Sequence, residues 1–303
     1  MKFRKTQKKK DGKIVIKKTP LLPGHLSPCH PRYDGTRSAY NATIKGHGAR
    51  CLPAKYHSII KIGTGLGLES GSVSYTHKER VALKESSAFT DTEKGRLLKT
   101  YFRPEMPAEW FTDPDAWLSS LDIEAVMDQY EEAVPSFKFL GVVPIDFSSP
   151  DPERVVGAGA GAGASKKCIA EEYCELDLAA ERARGIRTIG CVFNMDPSDK
   201  SGSHWIACAI LLKPVRGGSI YYFDSYGTPP PPQIARFMRS FILQDPNLVL
   251  KYNGRRFQYG GSECGMYSMY FIICMLNRVP FQRFVRHTVA DKYMLELRKI
   301  LFS

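Results

Sequence analysis

The pattern of apolar and polar positions changes character near residue 105. Before it, Gly, Pro, Ser, Thr and Lys are frequent and no period is sustained, which predicts a loosely folded or partly disordered extension with short strands. Beyond it, helices and strands alternate. Asp113-Pro114-Asp115 leads into AWLSSLDIEAVMDQYEEAV, a helix with acidic residues in its first turns, where the helix dipole favours them. Leu118, Leu121, Ala125 and Met127 or Gln129 supply its expected apolar stripe. FKFLGVVPIDF (137–147) predicts a strand ending in a turn, and CIAEEYCELDLAAERARG (168–185) one helix with Ile169, Tyr173, Leu176 and Ala180 on one face and Gly185 as C-cap. TIGCVFNMD (188–196) predicts a buried strand. SHWIACAILL (203–212) and SIYYFDSY (219–226) flank KPVRGG as a hairpin. Ile234, Phe237, Met238, Phe241 and Ile242 recur at helical spacing, and LVLKYNGRRFQY follows as a strand. CGMYSMYFIICML (264–276) is apolar on nearly every face, the mark of a helix buried at a domain centre, and ADKYMLELRKILF is a closing amphipathic helix. The expected class is α+β, with the central helix packed on a mostly antiparallel sheet.

The Gly/Ala alternation at 148–166 predicts a flexible loop inside this domain. The expected organisation is a basic flexible arm (1–20), an extension of unknown fold (21–104) and a folded domain (105–303). Nine basic residues and one acid in residues 1–18 hold +8 of the formal net charge of +12. Such an arm is either a solvated tail, a phosphate-binding segment or a nuclear-targeting signal, and charge alone does not separate these. No run of 18 apolar residues occurs, so no transmembrane helix is expected, and the first twenty residues lack the apolar stretch of a secretory signal. The eight cysteines are sparse and irregularly spaced, which reads as reduced thiols in an intracellular or intravirion setting. Gly63, Gly65 and Gly67 follow an apolar run but open no helix and precede no GK[ST], so a glycine-rich turn is expected rather than a phosphate loop. His25, Cys29, His30, His47, Cys51 and His57 have no paired cysteine spacing, and no metal or cofactor is expected.

The hairpin carries the first candidate chemistry. Antiparallel pairing puts His204 and Asp224 within a couple of residues of opposite each other. A carboxylate beside an imidazole fixes its tautomer and stabilises its cation, as a general base requires; a satisfied pair at a sheet edge is the alternative. Cys264 stands where GGSEC enters the most apolar helix, and a helix N-terminus beside a His favours a thiolate nucleophile. Cys208 and Cys274 lie inside an apolar strand and helix and read as core residues. Gln258, six residues before Cys264, could donate its amide to a developing oxyanion together with the Cys264 backbone N–H.

The order His204-Trp205, Asp224, Gln258, Cys264-Gly265 resembles the ubiquitin-like-protein proteases, which include the SUMO-specific proteases and the adenovirus protease. WLSSLDIEAVM (117–127) is similar to the helix that those enzymes open with Trp-Leu-Asn-Asp, with Ser119-Ser120 in place of Asn-Asp. GCVFNMDPSDKSGSHW, SIYYFDSYGTPPP and SECGMYSMYF look most like the polyprotein-processing cysteine proteases of large cytoplasmic DNA viruses, of the African swine fever virus type. The resemblance implies a papain-like core over 105–303, with Cys264 as nucleophile, His204 as base, Asp224 as orienting acid and Gln258 as oxyanion donor. Trp117 and Trp205 would close over substrate glycines, with packing alone as the alternative for each. It further implies an endopeptidase that cleaves polypeptides after Gly-Gly-Xaa sites during virion maturation, in the virion and host cytoplasm. The alternatives are removal of SUMO-like modifiers, and an inactive virion protein binding nucleic acid through residues 1–18.

Overall fold

The computed structural model describes residues 9–10, 13–14, 26, 29–32, 51–60, 75–150 and 168–302. The glycine-rich run after Ile60, most of the basic arm and most of the Gly/Ala loop lie outside the described residues. Strands β1 (Lys9–Lys10) and β2 (Lys13–Ile14) pair with each other. The main sheet follows: β3 (Phe137–Pro144), β4 (Thr188–Asn194), β5 (Trp205–Leu212), β6 (Gly218–Phe223) and β7 (Leu248–Tyr252), in that spatial order. The class is α+β, but the sheet is mixed rather than mostly antiparallel. β4–β5 and β5–β6 are antiparallel, whereas β3–β4 and β6–β7 are parallel. The reason lies in the connections: helical crossovers join both parallel pairs, and a crossover returns the chain in its original direction.

Both faces of the sheet are covered, so β4 and β5 are buried almost residue by residue. Alternation sends Ala207 and Ala209 to one face and Ile206, Cys208 and Ile210 to the other. The first face is kept flat by small residues. A Cβ at Gly190 would meet Ile272 at 3.0 Å and Phe137 at 3.1 Å, so the wholly buried helix Cys264–Leu276 lies directly on the sheet there. Helix Ser120–Ala133 packs beside it, and helices Phe281–Arg286 and Asp291–Leu301 follow it in the chain. Ile234, Phe237, Met238 and Phe241 of helix Pro232–Gln244 cover the opposite face.

Four sequence expectations change. The segment before residue 105 contains helices Tyr75–Glu85 and Asp91–Tyr101 rather than only short strands; Thr90 and Glu93 form a capping box at the second. The buried stripe of helix Ser120–Ala133 is Ile123, Val126, Met127 and Tyr130, and Leu121 faces solvent. Its start is fixed by a capping box between Ser119 and Asp122. The single helix expected over 168–185 is two, Glu171–Cys174 and Leu178–Ala183, because Asp177 accepts from the amides of Ala179 and Ala180 and so begins a new helix. Finally, not all eight cysteines are reduced: Cys29 is bonded to Cys51 and Cys168 to Cys174, leaving Cys191, Cys208, Cys264 and Cys274 as thiols. Spacing could not reveal the first pair, which forms where Cys29 bridges to Phe102.

Candidate active site

The hairpin register pairs Ala207 with Phe223, which sets His204 across from Tyr226, two residues beyond Asp224. The side chains close that offset. Nε2 of His204 lies 2.7 Å from Oδ1 of Asp224, and the His204 ring stacks on Tyr226 with centroids 4.7 Å apart. Two backbone devices hold the histidine at the strand entrance. Met195 donates its amide to the His204 carbonyl, and the Asn194 side chain accepts from Ser203 against a left-handed Gly202. A Cβ on Gly202 would lie 2.1 Å from the Asn194 amide nitrogen, so no other residue fits that turn.

Asp224 is buried, and its carboxylate also accepts from the amides of Tyr226 and Thr228. Asn253, fully buried, receives the Asp224 amide and donates to the Asp224 carbonyl. The next residue extends this scaffold to Gln258. Ser225 accepts the amides of Phe257 and Gln258 at its carbonyl and donates its hydroxyl to Gln258 Oε1 at 2.7 Å. The Gly260 carbonyl, which can only accept, fixes which end of the glutamine is nitrogen: the NH₂ group donates to it at 3.0 Å with one N–H to spare. Below, Phe257 stacks on Phe284 and meets Phe223 edge-on, which anchors the segment in the core.

Cys264 is the first residue of its helix and only 3% exposed. Its amide is one of the helix N–H groups with no intrahelical acceptor, and the N-cap residue Glu263 offers no side-chain cap. The sulfur is near enough to the His204 imidazole to help raise its pKa, and Nε2 of that ring serves Asp224. Burial alone would lower the pKa of His204. The hydrogen bonds to Asp224 and Cys264 and their negative charge outweigh it, raising the value from 6.5 to about 9. Burial likewise opposes the Asp224 carboxylate, but His204, the Tyr226 amide and the Thr228 side chain hold its pKa below the usual value. Burial pushes the thiols of Cys191, Cys208 and Cys274 up and favours their neutral form. Among the described residues no cluster of three or more His, Cys, Asp or Glu side chains is placed to hold a metal ion.

The two tryptophans occupy neighbouring positions with different exposures. Trp205 is buried and donates its indole N–H to the Leu118 carbonyl at 3.0 Å, while Trp117, one residue earlier, is 50% exposed. Leu118 and Trp205 also press on Gly265, where a Cβ would approach them to 2.8 and 3.2 Å. The glycine after Cys264 thus lets the tryptophan wall sit against the cysteine. Arg256 lies over the rings of Tyr226 and Tyr259 and donates Nε–H to the Gln258 carbonyl. Sequence reasoning missed Ser225, Tyr226 and Asn253; the only local signal was their position beside Asp224 or at the end of the neighbouring strand.

Residues 192–302 match the Ulp1 protease family, C-terminal catalytic domain. A thiol protease of Acanthamoeba polyphaga mimivirus is 30% identical over 217 residues, covering 69% of this chain; the chain spans 63% of that relative's length. A SUMO-1 cysteine protease of African swine fever virus is 28% identical over 244 residues, 78% of this chain and 84% of the relative. The crystal structure of an African swine fever virus protease shares the fold, with a TM-score of 0.59 at 21% identity over 84% of this chain and 92% of that one. Taken with a cysteine beside a histidine that is bonded to a carboxylate, these likenesses identify residues 192–302 as an Ulp1-type cysteine protease catalytic domain.

Proposed function

We propose that the chain is an endopeptidase that cleaves polypeptides after Gly-Gly motifs and processes viral structural precursors during virion maturation. The observation that carries the catalytic part is the series Asp224–His204–Cys264, with the sulfur at a helix N-terminus and an imidazole whose cation is strongly favoured. The Cys264 thiolate attacks the scissile carbonyl, and the oxyanion forms beside the Cys264 amide and the spare N–H of Gln258. The C–N bond then breaks, with the His204 imidazolium giving its proton to the leaving amine. Neutral His204 next takes a proton from water, whose hydroxide opens the thioester and frees the acid product and Cys264. Asp224 keeps the imidazole oriented throughout.

The Gly-Gly preference rests on the two indoles: a flat wall of Trp205, pinned by Leu118, and half-exposed Trp117 accepts residues lacking side chains and rejects bulkier ones. Release of SUMO-like modifiers is the second reading, favoured by the likeness to the SUMO-1 cysteine protease of African swine fever virus. Kinetics on a short Gly-Gly-Xaa peptide and on a fluorogenic SUMO C-terminal conjugate, with Cys264→Ala as control, decide between them. Turnover of the peptide at least as efficient as that of the conjugate is expected. Cleavage of the conjugate alone would favour the modifier reading, and turnover by Cys264→Ala would remove the nucleophile assignment.

A further inference from the structure

The loop between Gln258 and Cys264 must hold two of the proposed reacting groups in register, yet it runs through Gly260-Gly261, the least constrained residues available. Its rigidity comes from elsewhere. At its start, the Asp291 carboxylate accepts the amides of Tyr259 at 3.0 Å and Gly260 at 2.8 Å, and lies 2.8 Å from the Tyr267 hydroxyl. At its end, the buried Arg298 guanidinium donates to the Ser262 carbonyl and grips both carboxylate oxygens of Glu263, the residue before the nucleophile. The same guanidinium donates to the carbonyls of Pro114 and Ala116 at 3.1 and 2.8 Å and lies over the Trp110 ring at 4.4 Å. Asp291 and Arg298 stand seven residues apart on the helix Asp291–Leu301, two turns on one face.

We infer that this C-terminal helix is a brace for the reaction, with Asp291 and Arg298 as positioning residues that fix the Gln258–Cys264 loop at both ends. Arg298 alone also ties that loop to the 114–116 turn leading into Trp117. The two residues therefore have separable signatures. Asp291 holds the oxyanion side of the loop against Tyr267 of the nucleophile's helix, away from the substrate wall, so its loss reduces kcat. Arg298 joins the nucleophile side to the substrate wall, so its loss reduces kcat and raises KM. The planar fork of arginine reaches five acceptor oxygens on four residues in one orientation, which a lysine ammonium cannot do.

The inference rests on the proposed roles of Gln258 and Cys264, and the test separates the two. Full-length Asp291→Ala, Arg298→Lys and Arg298→Met are compared with wild type by circular dichroism, by Gly-Gly-Xaa peptide kinetics and by the rate of Cys264 alkylation with iodoacetamide. Asp291→Ala should lower kcat about tenfold or more with KM within about twofold. Arg298→Lys should lower kcat, raise KM and slow alkylation several-fold, both variants keeping the wild-type spectrum. If Arg298→Met fails to fold, the other two variants decide. Wild-type kcat in both of them, or losses that only track the unfolded fraction, would overturn the brace. Slowed alkylation in Arg298→Lys with no peptide turnover in any form, wild type included, would refute the peptidase and leave the positioning role standing.

Discussion

Replacing Asp224 by Asn keeps the volume of the side chain and removes its charge. The rise of the His204 pKa from 6.5 to about 9 corresponds to about 3 kcal/mol in favour of the imidazolium. The Cys264 sulfur supplies part of this, so the loss of the carboxylate is worth between about 1 and 3 kcal/mol, a factor of about 10 to 10² in kcat/KM at neutral pH. The sign follows from the direction of the shift. A group whose folded pKa is raised stabilises fully below its unfolded value and loses that contribution as pH rises through the folded one. Activity should thus hold through neutral pH and fall through about pH 9 in the wild type, while the melting temperature should decline from about pH 6.5 and have lost this contribution by about pH 9. In Asp224→Asn, burial of the imidazole is no longer opposed by a carboxylate, and the alkaline limb should move down toward neutrality. The limb belongs to the coupled histidine–cysteine pair rather than to either group alone. A pH series of kcat/KM on a Gly-Gly-Xaa peptide, beside melting curves at the same pH values, measures both effects. An alkaline limb that stays in place, with kcat/KM within about twofold of wild type, would refute the reasoning.

Gln258→Ala should slow turnover by about 10²–10³, as expected for loss of one oxyanion donor. Ser225→Ala, which removes the hydroxyl that holds Gln258 Oε1, should give a smaller loss in kcat that Ser225→Thr restores; equal rates in Gln258→Ala and wild type would remove the donor role. Gly265→Ala must push Leu118 and Trp205 apart, at a cost of about 1–3 kcal/mol. It should raise KM for glycine-containing peptides more than it lowers the melting temperature, and an unchanged KM would separate that wall from the substrate. Iodoacetamide should end peptide cleavage while a chelator leaves it intact, and the reverse pattern would point to a metal enzyme.

The parts of the site legible in the sequence are those set by chain order. His204 and Asp224 flank one hairpin, Gln258 and Cys264 sit six residues apart, and the apolar run after Cys264 announces a buried helix. The observed pairing of Ala207 with Phe223 leaves His204 and Asp224 two residues from directly opposite, the small offset that the loop length implies, and the left-handed Gly217 and Gly218 mark where the strands separate. Helices Tyr75–Glu85 and Asp91–Tyr101 escaped notice because each buries few apolar residues, Leu83 in the first and Leu97 in the second. Without a stripe, only the Thr90–Glu93 cap marks a helix start. Asp291 and Arg298 were illegible for another reason. Their partners lie about 30 and 180 residues away, and a charged residue on an amphipathic helix reads as solvated until the fold turns it inward.

The central claim is that Cys264, activated by His204, is the one sulfur that bonds to substrate carbon. Intact-mass and peptide-mapping spectra of the full chain treated with a Gly-Gly vinyl sulfone test it directly. A single adduct on Cys264, absent after His204→Ala, is the predicted result. Labelling of Cys191, Cys208 or Cys274 instead, or undiminished labelling of Cys264 without the imidazole, would contradict it.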